Sequence, residues 1–284
     1  MKRRKMSGMK RYMISICLVC VIGYCAYSIY SITQQYREEA KTHEALLMYK
    51  PQRPPIQTKP QTPAPGADAT QTQEAAPAQR IASEAVQASH TEQAHPVNQS
   101  IISLKARNED AVGWVSIHDT NVDYPFVQTE DNRYYLHRDF DKKEAAAGTL
   151  FLDFRNHPRL LHFNNYIYGH SMKNGSMFGS LRQFEKKDYF DAHPDATVTL
   201  LADTYSAEVF AYMVVTSDNE MIYQTHDMLP RLRQEYFDYV KQYARNYREI
   251  DLDVGDSILT LSTCAYEFND ARVVLLMRLN PIIP

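Results

Sequence analysis

Cysteine is nearly absent. Beyond residue 25 the 284-residue chain holds one, Cys264, while Cys17, Cys20 and Cys25 crowd near the N-terminus. That scarcity excludes an internal disulfide framework for most of the chain and leaves no second cysteine for a Cys/His metal set. An HExxH pattern is missing too, since His157 and His162 are spaced otherwise. Neither a metal nor a cofactor is expected. Charge is absent from Tyr12 to Tyr36, and Phe, Trp and Tyr are absent from Pro51 to Ser100. Each absence marks out a region.

The uncharged stretch is long enough to cross a bilayer as a helix. It follows MKRRKMSGMKR, with six Lys or Arg in residues 1–11, and precedes Arg37, Glu38 and Glu39. Basic residues on the near side predict a single-pass anchor over 12–36, with the N-terminus cytoplasmic and the rest outside. A cleaved signal peptide is the competing reading, but the segment exceeds a typical apolar signal core and lacks a small-x-small cleavage site. A lipoprotein signal is disfavoured because Cys17, Cys20 and Cys25 follow Ile, Val and Tyr. Small, soft cysteine side chains are ordinary filler in such a span.

Residues 37–100 read as a spacer rich in Pro, Ala, Gln and Thr, although residues 33–50 carry mixed charge and can prolong the anchor as a short helix. The aromatic-free part cannot bury enough apolar surface to offset its ordering entropy, so a disordered tether is expected. Residues 101–284 hold most of the aromatics and suffice for one well-buried domain. Their 19 Lys or Arg against 27 Asp or Glu argue against nucleic acid as a partner.

Within that domain, eight short β-branched and aromatic runs recur between turn signals: GWVSI, VDYPFVQ, TLFLDF, NNYIYGH, ATVTLL, YSAEVFAYMVVT, SILTLSTC and RVVLLMRL. They predict a mainly β sandwich or closed barrel. Leu229, Leu232, Tyr236, Val240, Tyr243 and Tyr247 recur at helical steps between the sixth and seventh runs, with Asp227 as the expected N-cap. The tyrosine stripe reads as core packing.

A lone thiol in an exported domain is an oxidation liability unless it is buried or kept for its reactivity. A cysteine nucleophile needs a neighbour that holds it as thiolate or takes its proton, usually histidine. The domain offers His118, His137, His157, His162, His170, His193 and His226. Most sit among polar loop residues and read as solvated. His170 differs, because it closes the strand NNYIYGH ahead of the loop SMKNGSMFG. Alternation puts Tyr168 on the face of His170 and Ser262 on the face of Cys264. If the two strands are neighbours, all four line one surface, with Arg272 entering from the next strand. A guanidinium there is suited to hold a substrate and stabilise an oxyanion; the bland reading is a surface ion pair with Glu267 or Asp270.

TLSTCAYEFNDAR resembles the sortase signature TLxTC followed by arginine, and YIYGHSMKNGSMFGSL resembles the sortase histidine segment. The stretch from Asn108 to Asn280 is similar to class B sortases, including VGWVSIHDTNVDYPFVQTEDNRYYL, GTLFLDFRN and the long helix. The resemblance implies an eight-stranded sortase β-barrel with N-terminal helices. It implies Cys264 as nucleophile, His170 as proton carrier and Arg272 as oxyanion-stabilising residue. Ser262, Tyr168 and Asn132 fall where family members line the substrate groove. Substrates would be secreted proteins with a C-terminal sorting motif of the NPQTN or LPxTG type, cleaved after Thr. The acyl group would pass through a thioester to a peptidoglycan or pilin amine. Ala265 stands where some relatives carry an acidic residue.

Two rivals remain at this stage. A cysteine endopeptidase would release its product to water, but a papain-like one would place its cysteine early, before histidine. A tethered, non-catalytic β-domain for adhesion would bury Cys264 inertly.

Overall fold

The computed structural model describes residues 8–53, 97–224, 228–264 and 270–282, and of Cys264 the backbone alone. Chain contacts divide into one unit of residues 1–51 with 96–284 and another of 52–95, which lies almost wholly outside the described residues.

Helix α1 (Gly8–Leu47) continues through Arg37, where the spacer was expected to begin. It is long and apolar enough to cross a membrane, with a window of mean hydropathy 2.0. Its apolar part is bare, whereas Leu46 near its end is buried against α2 (Gln99–Arg107) and the barrel. Helix α2 starts where the Asn98 side chain accepts from the Ser100 and Ile101 amides, and Lys105 and Arg107 sit at its negative C-terminal end.

All eight expected strands form: β1 (Ala111–Ile117), β2 (Asp123–Val127), β3 (Leu150–Leu152), β4 (Asn164–Tyr168), β5 (Asp195–Leu200), β6 (Thr204–Thr216), β8 (Ser257–Cys264) and β9 (Ala271–Pro281). They run in the order β5-β1-β2-β3-β4-β8-β9-β6, and a β5–β6 pairing closes the barrel. A two-residue strand, β7 (Asn246–Tyr247), hangs on β6 outside the ring. Closure removes the exposed edges that an open sheet would present.

The near-continuous apolar run of β9 is explained by burial on both faces. Val273, Leu275, Met277 and Leu279 join the barrel interior, with Val115, Phe126, Ile167, Leu259 and Leu261. The short α3 (Lys187–Ala192) precedes β5. Val274 and Leu276 face outward into a second cluster with Tyr236, Phe237 and Val240 of α4 (Pro230–Tyr243). Helix α4 is the one expected, with two differences. Its cap residue is Leu229 followed by Pro230, whose fixed φ suits a first helical turn, and the expected cap Asp227 lies outside the described residues. The stripe was expected to reach Tyr247, but Ala244 turns extended and Tyr247 pairs with Ala211 of β6.

Candidate active site

Strands β4 and β8 lie side by side in parallel, with Tyr168 abreast of Ser262. Beyond that pair, the Gly169 amide donates to the Ser262 carbonyl at 3.2 Å, so the chain leading to His170 stays against β8 as it runs to Cys264. Antiparallel β9 puts Arg272 directly opposite Cys264 in the backbone register. The end of β4 and the distant β8–β9 pair thus bring the backbones of the three motif residues to one rim of the barrel.

The rim is built to hold His170. A side chain at residue 169 would put its Cβ 2.2 Å from Leu150 Cδ2 and 2.9 Å from the Phe178 ring, so only glycine allows this approach. The His170 Nε2 lies 2.7 Å from the carbonyl oxygen of Leu136. A carbonyl only accepts, so Nε2 carries the proton and, in the neutral ring, Nδ1 is the basic nitrogen. The His137 ring stacks on His170 at 5.7 Å between centroids and 24° between planes. The loop returns at once, with the Phe178 amide donating to the His170 carbonyl at 3.0 Å.

The residues expected to line a groove are engaged internally. Ser262 is 1% exposed, and its hydroxyl lies 2.9 Å from the Tyr223 hydroxyl. Tyr166 donates to the carbonyls of Ile222 and Gln224 at 2.6 and 2.9 Å, strapping the segment after β6 to β4. Tyr168 donates to Asp153 Oδ2 at 3.1 Å, as does the Asn132 amide at 3.1 Å, while Asn132 Oδ1 accepts from the Phe154 amide at 3.0 Å. Burial alone would push the Asp153 carboxyl up. Hydrogen bonds and charge from Arg155, aided by Asn132, outweigh it and hold the group below the usual carboxylate range. Burial pushes the Tyr168 phenol well up, so it remains a neutral donor. Arg272 is half-buried and donates to the Ala271 carbonyl at 3.1 Å.

Sequence reasoning missed Leu136, His137, Asp153 and Tyr223. A backbone carbonyl leaves no trace in residue types, and His137 reads as a solvated loop histidine. Asp153 stood inside the quoted GTLFLDFRN, where an Asp two residues before an Arg reads as a surface ion pair.

The backbone register thus brings a cysteine at the end of β8 beside the segment that carries His170 just past β4 and opposite Arg272 on β9. The sortase domain model matches residues 115–279. A sortase B of Listeria monocytogenes is 37% identical over 183 residues, 63% of this chain and 73% of its own. The structure of a Staphylococcus aureus sortase B–substrate complex matches with a TM-score of 0.62 and 27% identity, over 66% of this chain and 87% of that one. The Clostridium perfringens sortase B structure matches with a TM-score of 0.60 and 31% identity, over 63% of this chain and 98% of that one. The chain belongs to the sortase family, and within it to class B. It is a cysteine transpeptidase of the sortase kind, acting on substrates that carry a sorting motif.

Proposed function

We propose that Cys264 attacks the carbonyl carbon of the Thr in an NPQTN- or LPxTG-type motif of a secreted protein, so that the chain is cleaved after that Thr. The observation that carries this reading is the convergence of His170, Cys264 and Arg272 on adjacent strand ends. As the sulfur–carbon bond forms, Arg272 stabilises the charge on the carbonyl oxygen. The amide C–N bond then breaks, and His170 gives its proton to the departing amine. The resulting thioester meets an acceptor amine of peptidoglycan or a pilin. That amine bonds to the acyl carbon, passes a proton to His170, and expels the Cys264 thiolate.

Water competes for the thioester at far higher concentration, so transfer requires an amine held in near-attack geometry. Helix α1 fits an anchor whose catalytic domain faces outside, at the surface where exported substrates emerge. The test is mass spectrometry of the products from a Thr-containing sorting peptide, with and without a panel of short amine peptides. An amide product that replaces the free acid and speeds turnover is expected. Hydrolysed acid with every amine would favour the endopeptidase reading instead.

A further inference from the structure

Asp153 lies just past β3 and is 0% exposed. Its carboxylate accepts from the Arg155 amide and Nε at 2.9 Å each, and from Arg155 Nη2 at 2.7 Å. The pairing with Arg155 offsets the cost of burying a charge. Its backbone is tied as well, donating to Tyr166 O at 2.9 Å and accepting from Gln128 Nε2 at 2.9 Å. This rigid acceptor takes two more hydrogen bonds, both on Oδ2: one from Asn132 and one from Tyr168.

Those two donors lead to His170 by separate routes. Asn132 lies in the turn that runs into the 3₁₀ helix Tyr134–His137, where Asp131 Oδ1 accepts from the Arg133 and Tyr134 amides. That helix supplies both the Leu136 carbonyl that accepts from His170 Nε2 and the His137 ring stacked on it. Tyr168 ends β4, two residues before His170. One carboxylate oxygen therefore fixes the acceptor side and the backbone side of the same imidazole. A neutral amide in its place would turn an NH₂ group or a weaker acceptor toward donors that need a carboxylate.

We infer that Asp153 is a positioning residue for His170, acting through Asn132 and Tyr168. The inference rests on the reading of His170 as the proton carrier. It gives those two side chains an inward task that differs from contacting substrate.

The experiment compares Asp153→Asn, Tyr168→Phe and Asn132→Ala in the full chain. Two readouts are used: steady-state cleavage of a sorting peptide, and the His170 Nε2–H resonance of ¹⁵N-labelled protein. Asp153→Asn should lower kcat by about 10²-fold with KM changed by less than about three-fold, the scale of a slight misplacement. The His170 Nε2–H signal should shift and lose its protection from exchange while the strand amides keep their positions. Tyr168→Phe and Asn132→Ala should each lower kcat several-fold, and either combined with Asp153→Asn should add little, because all three act as one unit. A wild-type His170 resonance in Asp153→Asn overturns the inference, as does an effect confined to KM. Should Asp153→Asn fail to fold, Tyr168→Phe decides by the same two readouts. An active Cys264→Ala control would instead sink the cysteine reading, and the resonance would still report whether Asp153 holds the ring.

Discussion

The two ends of the β4–β8 pair carry similar residues toward different purposes. At the start, Asn164 Oδ1 accepts from Thr260 Oγ1 at 2.8 Å while its amide donates to Tyr236 OH at 3.0 Å. All three are buried where Tyr236 of α4 packs on the sheet, and each polar group is spent on another. At the far end, Tyr168 and Ser262 are likewise bonded inward, and two residues further along the chain stand His170 and Cys264. Hydrogen bonding closes one end into core and makes the other a rigid platform for the residues that the proposed reaction uses. Changes at the rim should therefore remove activity and spare stability, and changes at the sealed end should do the reverse.

The largest effect belongs to the rim. Cys264→Ala should abolish cleavage, His170→Ala should come close, and Arg272→Ala should cost about 10²–10³ in kcat. Thermal midpoints should stay near that of the unaltered protein. A fully active Cys264→Ala protein would erase the distinction between the two ends. Next comes Asn164→Ala, which strands two buried hydroxyls and should cost about 3 kcal/mol in denaturant unfolding. What remains folded should keep its kcat, and a loss of kcat without a loss of stability would invert the comparison.

The smallest effect concerns acid. Asp153 is held below its unfolded value, so its contribution to stability is complete above the ordinary carboxylate range and is lost as pH falls through the depressed folded value. Melting temperature should be flat above about pH 5 and fall below about pH 4, given an unfolded Asp near 3.9. Asp153→Asn should flatten that slope, and parallel slopes would mean the carboxylate does not titrate as described.

The legible part of this molecule was what local pattern controls. Eight β-branched runs became the eight barrel strands, and YIYGH and TLSTC marked the residues that now meet at the rim. Strand β7 escaped because two residues carry no period, and Tyr247 matched the helical spacing of α4 by coincidence of register. The parallel pairing of β4 with β8 joins segments separated by β5, β6 and α4, so only the fold reveals it. Asp153 escaped for the opposite reason. Its partner Arg155 is near in sequence and ordinary, while the donors that give it meaning come from Asn132 and Tyr168 on separate elements. Leu46 was read with the spacer because its burial depends on α2 and the barrel, and no local pattern of residues 37–50 encodes that.

The central claim, that the rim forms an acyl-enzyme on Cys264, is tested most directly by intact-protein mass spectrometry. The protein would be mixed with a Thr-containing sorting peptide, quenched in acid, and digested to map the adduct. The account predicts an added mass equal to the acyl fragment, located on the peptide holding Cys264, absent from Cys264→Ala and discharged by an amine acceptor. Turnover of the peptide with no adduct on Cys264, or with the adduct on another residue, would contradict it.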